Sequence, residues 1–137
     1  MKKLILIIIA LFFIACSNSN NYFNSTLNLN NNIQQEVIIN DIADIVKNNY
    51  IKQSTLYLST SDANKDFFNH LCDILRNEGF AISDDNSLKG LNFISYSISQ
   101  IDENIFVTIN IDANKVNITY KVKDNKIFKN SISFFDY

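Results

Sequence analysis

The first apolar run of the chain extends from Leu4 to Ile14 and follows two lysines, Lys2 and Lys3. It is only about half as long as the roughly 20 residues that a helix needs to cross a bilayer core. A basic start followed by a short apolar run is typical of an export signal. After Cys16 the composition changes abruptly to Ser and Asn. The pattern therefore predicts a signal peptide over residues 1–15.

The next stretch, residues 17–34, consists mainly of Ser and Asn with isolated apolar side chains. Such a segment cannot bury enough apolar surface to offset the entropy lost on ordering. We predict that residues 16–34 form a flexible tether with a typical span of about 25 Å. A single folded domain is expected over residues 35–137.

Helical periodicity appears twice in this domain. Apolar residues recur at spacings of three and four over residues 35–49 and again over residues 62–78, which predicts two amphipathic helices. Ser61 and Asp62 are suited to cap the second helix, and Gly79 is typical of the residue that ends one. The buried stripe of the second helix is expected to contain Phe67, Phe68, Leu71, Ile74 and Leu75.

Strand patterns account for most of the remaining chain. Short apolar runs at residues 56–58 and 80–82 predict two brief strands, and a polar loop follows over residues 83–90. Alternating apolar and polar residues then predict four half-buried strands, which cover about residues 94–98, 105–111, 116–122 and 127–134. The fold expected is α+β, with a four-stranded antiparallel meander packed against helix 62–78 in two layers.

The register of the meander follows from keeping each side chain on its face of the sheet. Loops over residues 99–104 and 112–115 would place Ile98 opposite Ile105, and Ile111 opposite Val116. For the last hairpin, a loop over residues 124–126 or an equivalent bulge aligns three apolar pairs. These pairs are Val122 with Phe128, Ile118 with Ile132, and Val116 with Phe134.

Charge argues against one class of function. Without residues 1–15 the chain loses Lys2 and Lys3, which leaves 10 basic against 14 acidic residues and a net charge of about −4. Nucleic-acid binding requires a cationic surface. The lysines are scattered and Arg76 is the single arginine, so we expect no direct binding to nucleic acid.

The cysteines and the histidine offer little chemistry. If Cys16 carries lipid, Cys72 has no intramolecular partner. Cys72 is then expected to be a partly buried thiol on a helix, with an intermolecular disulfide as the alternative. His70 is the only histidine, and it cannot form a metal site with Cys72 alone. We expect no metal and no cofactor.

Catalytic motifs are equally scarce. Gly79 and Gly90 are the only glycines, which excludes a glycine-rich phosphate loop. The serines lack a recognisable nucleophile elbow. Two acidic pairs, Asp84-Asp85 and Asp102-Glu103, fall in predicted turns, where carboxylates are usually solvated. The sequence therefore predicts a protein that is not an enzyme.

The segment Phe13-Ile14-Ala15-Cys16 resembles a bacterial lipobox, although the first of these positions is usually Leu. The resemblance implies cleavage before Cys16 and diacylation of its thiol, and two or three acyl chains would anchor the protein stably to a membrane. Ser17 follows, and in similar Gram-negative lipoproteins a residue other than Asp there directs the protein to the outer membrane. The alternative is that Cys16 is an ordinary small residue that closes a signal peptide or an uncleaved anchor.

A further resemblance lies in residues 43–83, ADIVKNNYIKQSTLYLSTSDANKDFFNHLCDILRNEGFAIS. A helix end, a tyrosine and a Thr-x-Tyr-x strand lead into a helix that ends Leu-Arg-x-x-Gly-aromatic-Ala. Tyr96, residues 107–111 and Tyr120 follow in strands. This order is similar to the TrbH family of conjugal-transfer lipoproteins, over about residues 37–135. The proline that usually lies between the tyrosine and the strand in this family is missing here, where the sequence has Ile51-Lys52.

That resemblance implies an outer-membrane lipoprotein that faces the periplasm and helps to assemble a conjugative type IV secretion channel. Its partners would be the membrane, through the lipid on Cys16, and subunits of the secretion channel. The alternative is a periplasmic lipoprotein that binds a small ligand or an envelope polymer, which the Tyr and Phe content allows. Such a ligand would need a pocket of several hundred cubic ångströms.

Overall fold

The computed structural model describes residues 24–30, 34–60 and 65–136. The signal peptide predicted over residues 1–15 and Cys16 lie outside them. In the described ranges, short strands and two helices precede four long strands. The elements are β1 (Asn24–Asn28), α1 (Glu36–Asn49), β2 (Thr55–Tyr57), β3 (Ser59–Thr60), α2 (Lys65–Asn77), β4 (Ala81–Ser83), β5 (Asn92–Ile101), β6 (Asn104–Ile111), β7 (Asn114–Lys123) and β8 (Lys126–Phe135).

All eight described strands belong to one mixed sheet. Its main order is β3-β1-β5-β6-β7-β8. Strand β2 pairs with β4 and with the start of β5, both in parallel, and β1 pairs in parallel with β3 and β5. The pairs from β5 to β8 are antiparallel. The predicted α+β class is confirmed, but the sheet is larger than the four strands expected.

The core is one apolar cluster that joins both helices to one face of the sheet. The rings of Phe67 in α2 and Tyr96 in β5 lie 5.3 Å apart between centroids. Of the stripe predicted for the second helix, Phe67, Leu71 and Leu75 are buried, and Phe68 and Ile74 are partly buried beside the core. The helical pattern thus identified the side that packs.

The helix boundaries agree closely with the periodicity. Helix α1 lies within the predicted range, and α2 ends just before Gly79, whose φ is +99°. Gly79 donates from its N–H to the carbonyl of Arg76 at 2.9 Å, and Phe80 donates to Leu75 at 3.1 Å. This pair of bonds is the Schellman arrangement, which favours glycine because φ is positive. The predicted cap at Ser61 and Asp62 lies outside the described residues.

The tether predicted over residues 16–34 is wrong for residues 24–28, which form β1. This strand lies between β3 and β5, so it pairs along both edges. Ser25 is fully buried, and its Oγ accepts a hydrogen bond from the backbone N–H of Tyr96 at 3.2 Å. Main-chain pairing orders the polar strand, although few of its side chains are apolar.

The first two hairpin registers were predicted wrongly by two residues. Ile98 lies opposite Val107 rather than Ile105, and Ile109 lies opposite Val116. Two-residue turns replace the longer loops, because Asp102 and Asp112 adopt positive φ values that Asp tolerates. A shift of two residues leaves every side chain on its predicted face.

The last hairpin follows the alternative that includes a bulge. Its turn is Asp124-Asn125, and both residues have positive φ, as a type I′ turn requires. Val122 therefore lies opposite Ile127, and the register shifts between Thr119 and Tyr120. Beyond this shift, Ile118 pairs with Ile132 and Val116 with Phe134, as predicted.

Candidate interaction surface

Strand β8 forms the one long open edge among the described strands. The sheet ends there on one side, and on the other side it ends in β3 and β4, which have two and three residues. Strand β8 has ten residues. Short edges offer few unpaired backbone groups, whereas a long edge can pair with another chain. The geometry of β8 therefore makes it the leading candidate for an interaction surface.

Apolar side chains are unusually exposed along this edge. Four of the nine large apolar side chains that are exposed in the described part of the chain belong to β8. Their exposed fractions are 53% for Phe128, 42% for Ile132, 63% for Phe134 and 45% for Phe135. Ile132 and Phe134 are neighbours on one face of this edge, and adjacent exposed apolar side chains commonly mark a site of association.

Ile132 and Phe134 are exposed because the helices do not cover the C-terminal half of β8, whereas α1 reaches Lys129 in its first half. Their register partners Ile118 and Val116 in β7 point to the same face and are buried. Side chains opposite each other in an antiparallel pair share a face. The apolar face of the sheet therefore continues past the packed core and reaches the open edge.

Basic residues are concentrated on the same two strands. Between residues 114 and 135 the sequence has five lysines and one acidic residue, Asp124, although the whole chain has a formal charge of −2. A surface cleft of about 430 Å³ is lined by Lys121, Lys123, Phe128, Lys129 and Asn130. We call this set the basic cleft. It lies beside the bulge, and no carboxylate is among these lining residues.

One polar network links β7 and β8 to α1. The Lys129 ammonium donates to Oδ1 of Asp41 in α1 at 2.6 Å, and the Tyr120 hydroxyl donates to Oδ2 of the same carboxylate at 2.7 Å. Burial raises the pKa of Tyr120, and the bond to Asp41 raises it further. A single carboxylate thus joins α1, β7 and β8.

Replacing Asp41 with Ala should destabilise the fold by about 1–3 kcal/mol, because the buried Tyr120 hydroxyl would lose its acceptor. Asp44→Ala is the matched control on the same helix, since the Asp44 side chain is largely exposed and forms an ion pair with Lys47 at the surface. Its cost should stay below about 1 kcal/mol. Denaturant unfolding measures both variants, and equal costs would show that the network adds no stability.

The residues considered for chemistry do not form a joint reactive site. Cys72 is buried in α2, and burial raises the pKa of its thiol to about 11, which keeps it protonated and unreactive near neutral pH. Asp85 lies in the exposed loop after β4, where the Ser87 hydroxyl and N–H donate to it and lower its pKa. In the described ranges, no group of three potential ligands could hold a metal ion.

A second cleft bears on the ligand-binding alternative. It has a volume of about 520 Å³ and is lined by Gln34, Gln35, Glu36, Ile39, Asp66, Phe67 and His70. This volume falls within the range of ligand pockets, so size alone does not remove the alternative. Ligand pockets are mostly apolar, whereas five of these seven residues are polar and the two apolar ones, Ile39 and Phe67, are already buried in the core. The lining therefore does not favour an apolar ligand.

The exposure of β8 was not predicted from the sequence. Phe128, Ile132 and Phe134 were expected on the covered face of the meander, but Phe128 lies opposite Lys121 and projects to the other face. The signal available in the sequence was the number of strands. A helix is about 10 Å wide and strands lie about 4.8 Å apart, so two helices cover about four strands.

Taken together, these features define the class of protein as an α+β domain with one long open edge among its described strands. In the described part of the chain, no helix is long and apolar enough to cross a membrane. The chain matches the family model described as conjugal transfer protein TrbH over residues 17–135. It therefore belongs to the TrbH family, and the predicted family is confirmed.

As a member of this family, the chain is a component of conjugal transfer. The family is an accessory family of conjugal transfer and is not a known enzyme family. Searches of the curated proteins and of the solved structures find no match.

Proposed function

We propose that this protein is an outer-membrane-anchored periplasmic lipoprotein and a structural or assembly component of a conjugative type IV secretion system. The observation that carries the proposal is the TrbH match over residues 17–135. The exposed apolar edge of β8 supports it, because an assembly component needs a surface on which another subunit can bind.

Attachment and association are assigned to separate parts of the chain. The lipobox resemblance assigns the anchor to Cys16, whose acyl chains would hold the mature protein at the membrane. The residues between Cys16 and β1 would provide reach, and the α+β domain would present β8 to a channel subunit. The proposed mechanism is association, which requires no reactive group.

The test replaces Cys16 with Ser in the full chain and expresses it in a plasmid-bearing strain from which the gene is deleted. We expect the variant to lose palmitate labelling and membrane retention, because serine lacks the thiol that is acylated. Plasmid transfer should fall towards that of the deletion strain. Labelled palmitate, membrane fractionation and mating frequency measure the three effects.

Two variants serve as controls. Cys72→Ala removes the other cysteine and should leave the labelling unchanged. Ser17→Asp should keep the label but move the protein to the inner-membrane fraction. Deletion of the gene without any loss of transfer would contradict the proposed function, and label retained by Cys16→Ser would contradict the anchor.

A further inference from the structure

We propose that the open edge of β8 binds an extended acidic segment of a partner polypeptide, which adds to the sheet as a further strand. The inference deepens the proposed function and rests on it, since the partner would be a subunit of the transfer apparatus. It assigns the interface to one edge of one strand and gives the partner segment a definite chemistry.

The two halves of β8 differ in how well the edge is protected. The basic half, Lys126–Asn130, carries two lysines and the bulge, and both features discourage a further strand from pairing there. The open half, Ser131–Phe135, has the sequence SISFF, without charge, proline or bulge. Main-chain pairing with a partner is therefore directed to the open half.

The open half also dictates the side chains of the added strand. Ile132 and Phe134 lie on the helix side of the sheet, and Phe135 lies on the other side, opposite Lys115. In a strand that pairs with the open half, every second side chain would lie next to Ile132 or Phe134. Apolar residues at these alternate positions would extend the apolar face and cover it.

The charge of the partner follows from the basic cleft. Lys121, Lys123 and Lys126 form no ion pair with any residue in the part of the chain that the structure describes. Lys121 and Lys123 line the cleft with Phe128. Carboxylates on the partner, next to the strand-forming residues, would neutralise this positive charge and fix the register of binding.

A second copy of this chain would cover less of the β8 edge and the basic cleft than an acidic segment would. Antiparallel pairing of two open halves about Ser133 would match Ile132 with Phe134, but the basic half of each copy would extend past the end of the other copy's β8. The basic cleft would stay empty. Pairing over five residues alone would also bury less than the roughly 1,200 Å² at the low end of stable interfaces.

The test places a photocrosslinking phenylalanine analogue at Phe135 in the full-length protein, in cells that carry the plasmid. Phe106 is the matched control, since it is exposed to nearly the same extent, 43% against 45%, but lies in β6 inside the sheet. Mass spectrometry identifies the linked peptide. We expect Phe135 alone to crosslink, and to a transfer-subunit segment in which apolar residues alternate and acidic residues flank them.

Charge reversal provides the second readout. The double variant Lys121→Glu and Lys123→Glu should remove most of the crosslink, because it repels the acidic segment without touching the core. Lys52→Glu with Lys89→Glu makes the same change of net charge at exposed positions away from β8 and should leave the crosslink intact.

Several results would overturn the inference. They are a crosslink to a second copy, a crosslink to lipid, equal crosslinking from Phe106, a neutral or basic linked segment, and a crosslink that survives reversal at Lys121 and Lys123. Mating frequency in the same strains separates this failure from failure of the proposed function. If deletion of the gene stops transfer while the charge reversal does not, the function stands and the β8 interface falls.

Discussion

Replacing Leu71 with Ala should lower the free energy of unfolding by about 2–5 kcal/mol. Leu71 is fully buried in α2, on the side of the helix that faces the sheet. Truncation removes apolar contacts and leaves a cavity that its packed neighbours fill only in part. Since a domain is stable by only about 5–15 kcal/mol, this variant would lose a large fraction of its folded population.

Urea unfolding followed by circular dichroism measures this loss, with the m-value checked for constancy. Leu88→Ala is the matched control, because the same side chain is 50% exposed in the loop after β4. Its effect should stay within about 0.5 kcal/mol. Equal costs at the two positions would mean that α2 does not pack on the sheet as described.

Stability should fall steeply above pH 10. Tyr96 and Tyr120 are almost fully buried, and burial raises the pKa of each above its ordinary value of about 10. Above pH 10 the unfolded chain releases these phenolic protons while the folded chain retains them. The unfolded state then binds fewer protons, so the free energy of unfolding declines as pH rises.

Each of the two buried tyrosines should contribute up to about 1.4 kcal/mol per pH unit above pH 10. Cys72 adds an earlier decline, which begins near its ordinary pKa of about 9 and ends near its folded pKa of about 11. Their stabilising contributions are therefore fully present at neutral pH and are lost on the alkaline side.

Denaturant unfolding at several pH values between 8 and 11 measures this slope. Tyr96→Phe keeps the ring and removes one titrating group, so its profile above pH 10 should be less steep than that of the native chain. An unchanged slope would show that the Tyr96 hydroxyl is not protected from ionisation, and a flat profile in the native chain would contradict the burial of both tyrosines.

The sequence alone could locate both helices and the four long strands. Burial requires apolar side chains on one side of an element, and the periods of helices and strands differ, so the pattern identifies the type of element and its buried side. Leu71 and Leu75 in α2, and Ile109 in β6, lie where that argument places them. Gly79 also ended its helix as expected.

Local pattern could not identify β1 or fix the hairpin registers. Strand β1 is ordered by pairing on both edges with β3 and β5, which are distant in sequence, and its own composition resembles that of a tether. The hairpin registers depended on whether Asp102 and Asp112 adopt positive φ. Shifts of two residues preserve the faces, so the hydrophobic pattern cannot distinguish them.

The sequence by itself determined both helices, the four long strands and the buried side of each helix, because each depends on residues close together in the chain. It also carried the family resemblance. Only the tertiary structure decided that β8 is the open edge and that Ile132 and Phe134 lie beyond the helices. The hydrophobic pattern of a strand is the same whether or not a helix covers its apolar residues. Its exposure depends on the order of the strands and on how far two helices reach across the sheet, which no local pattern records.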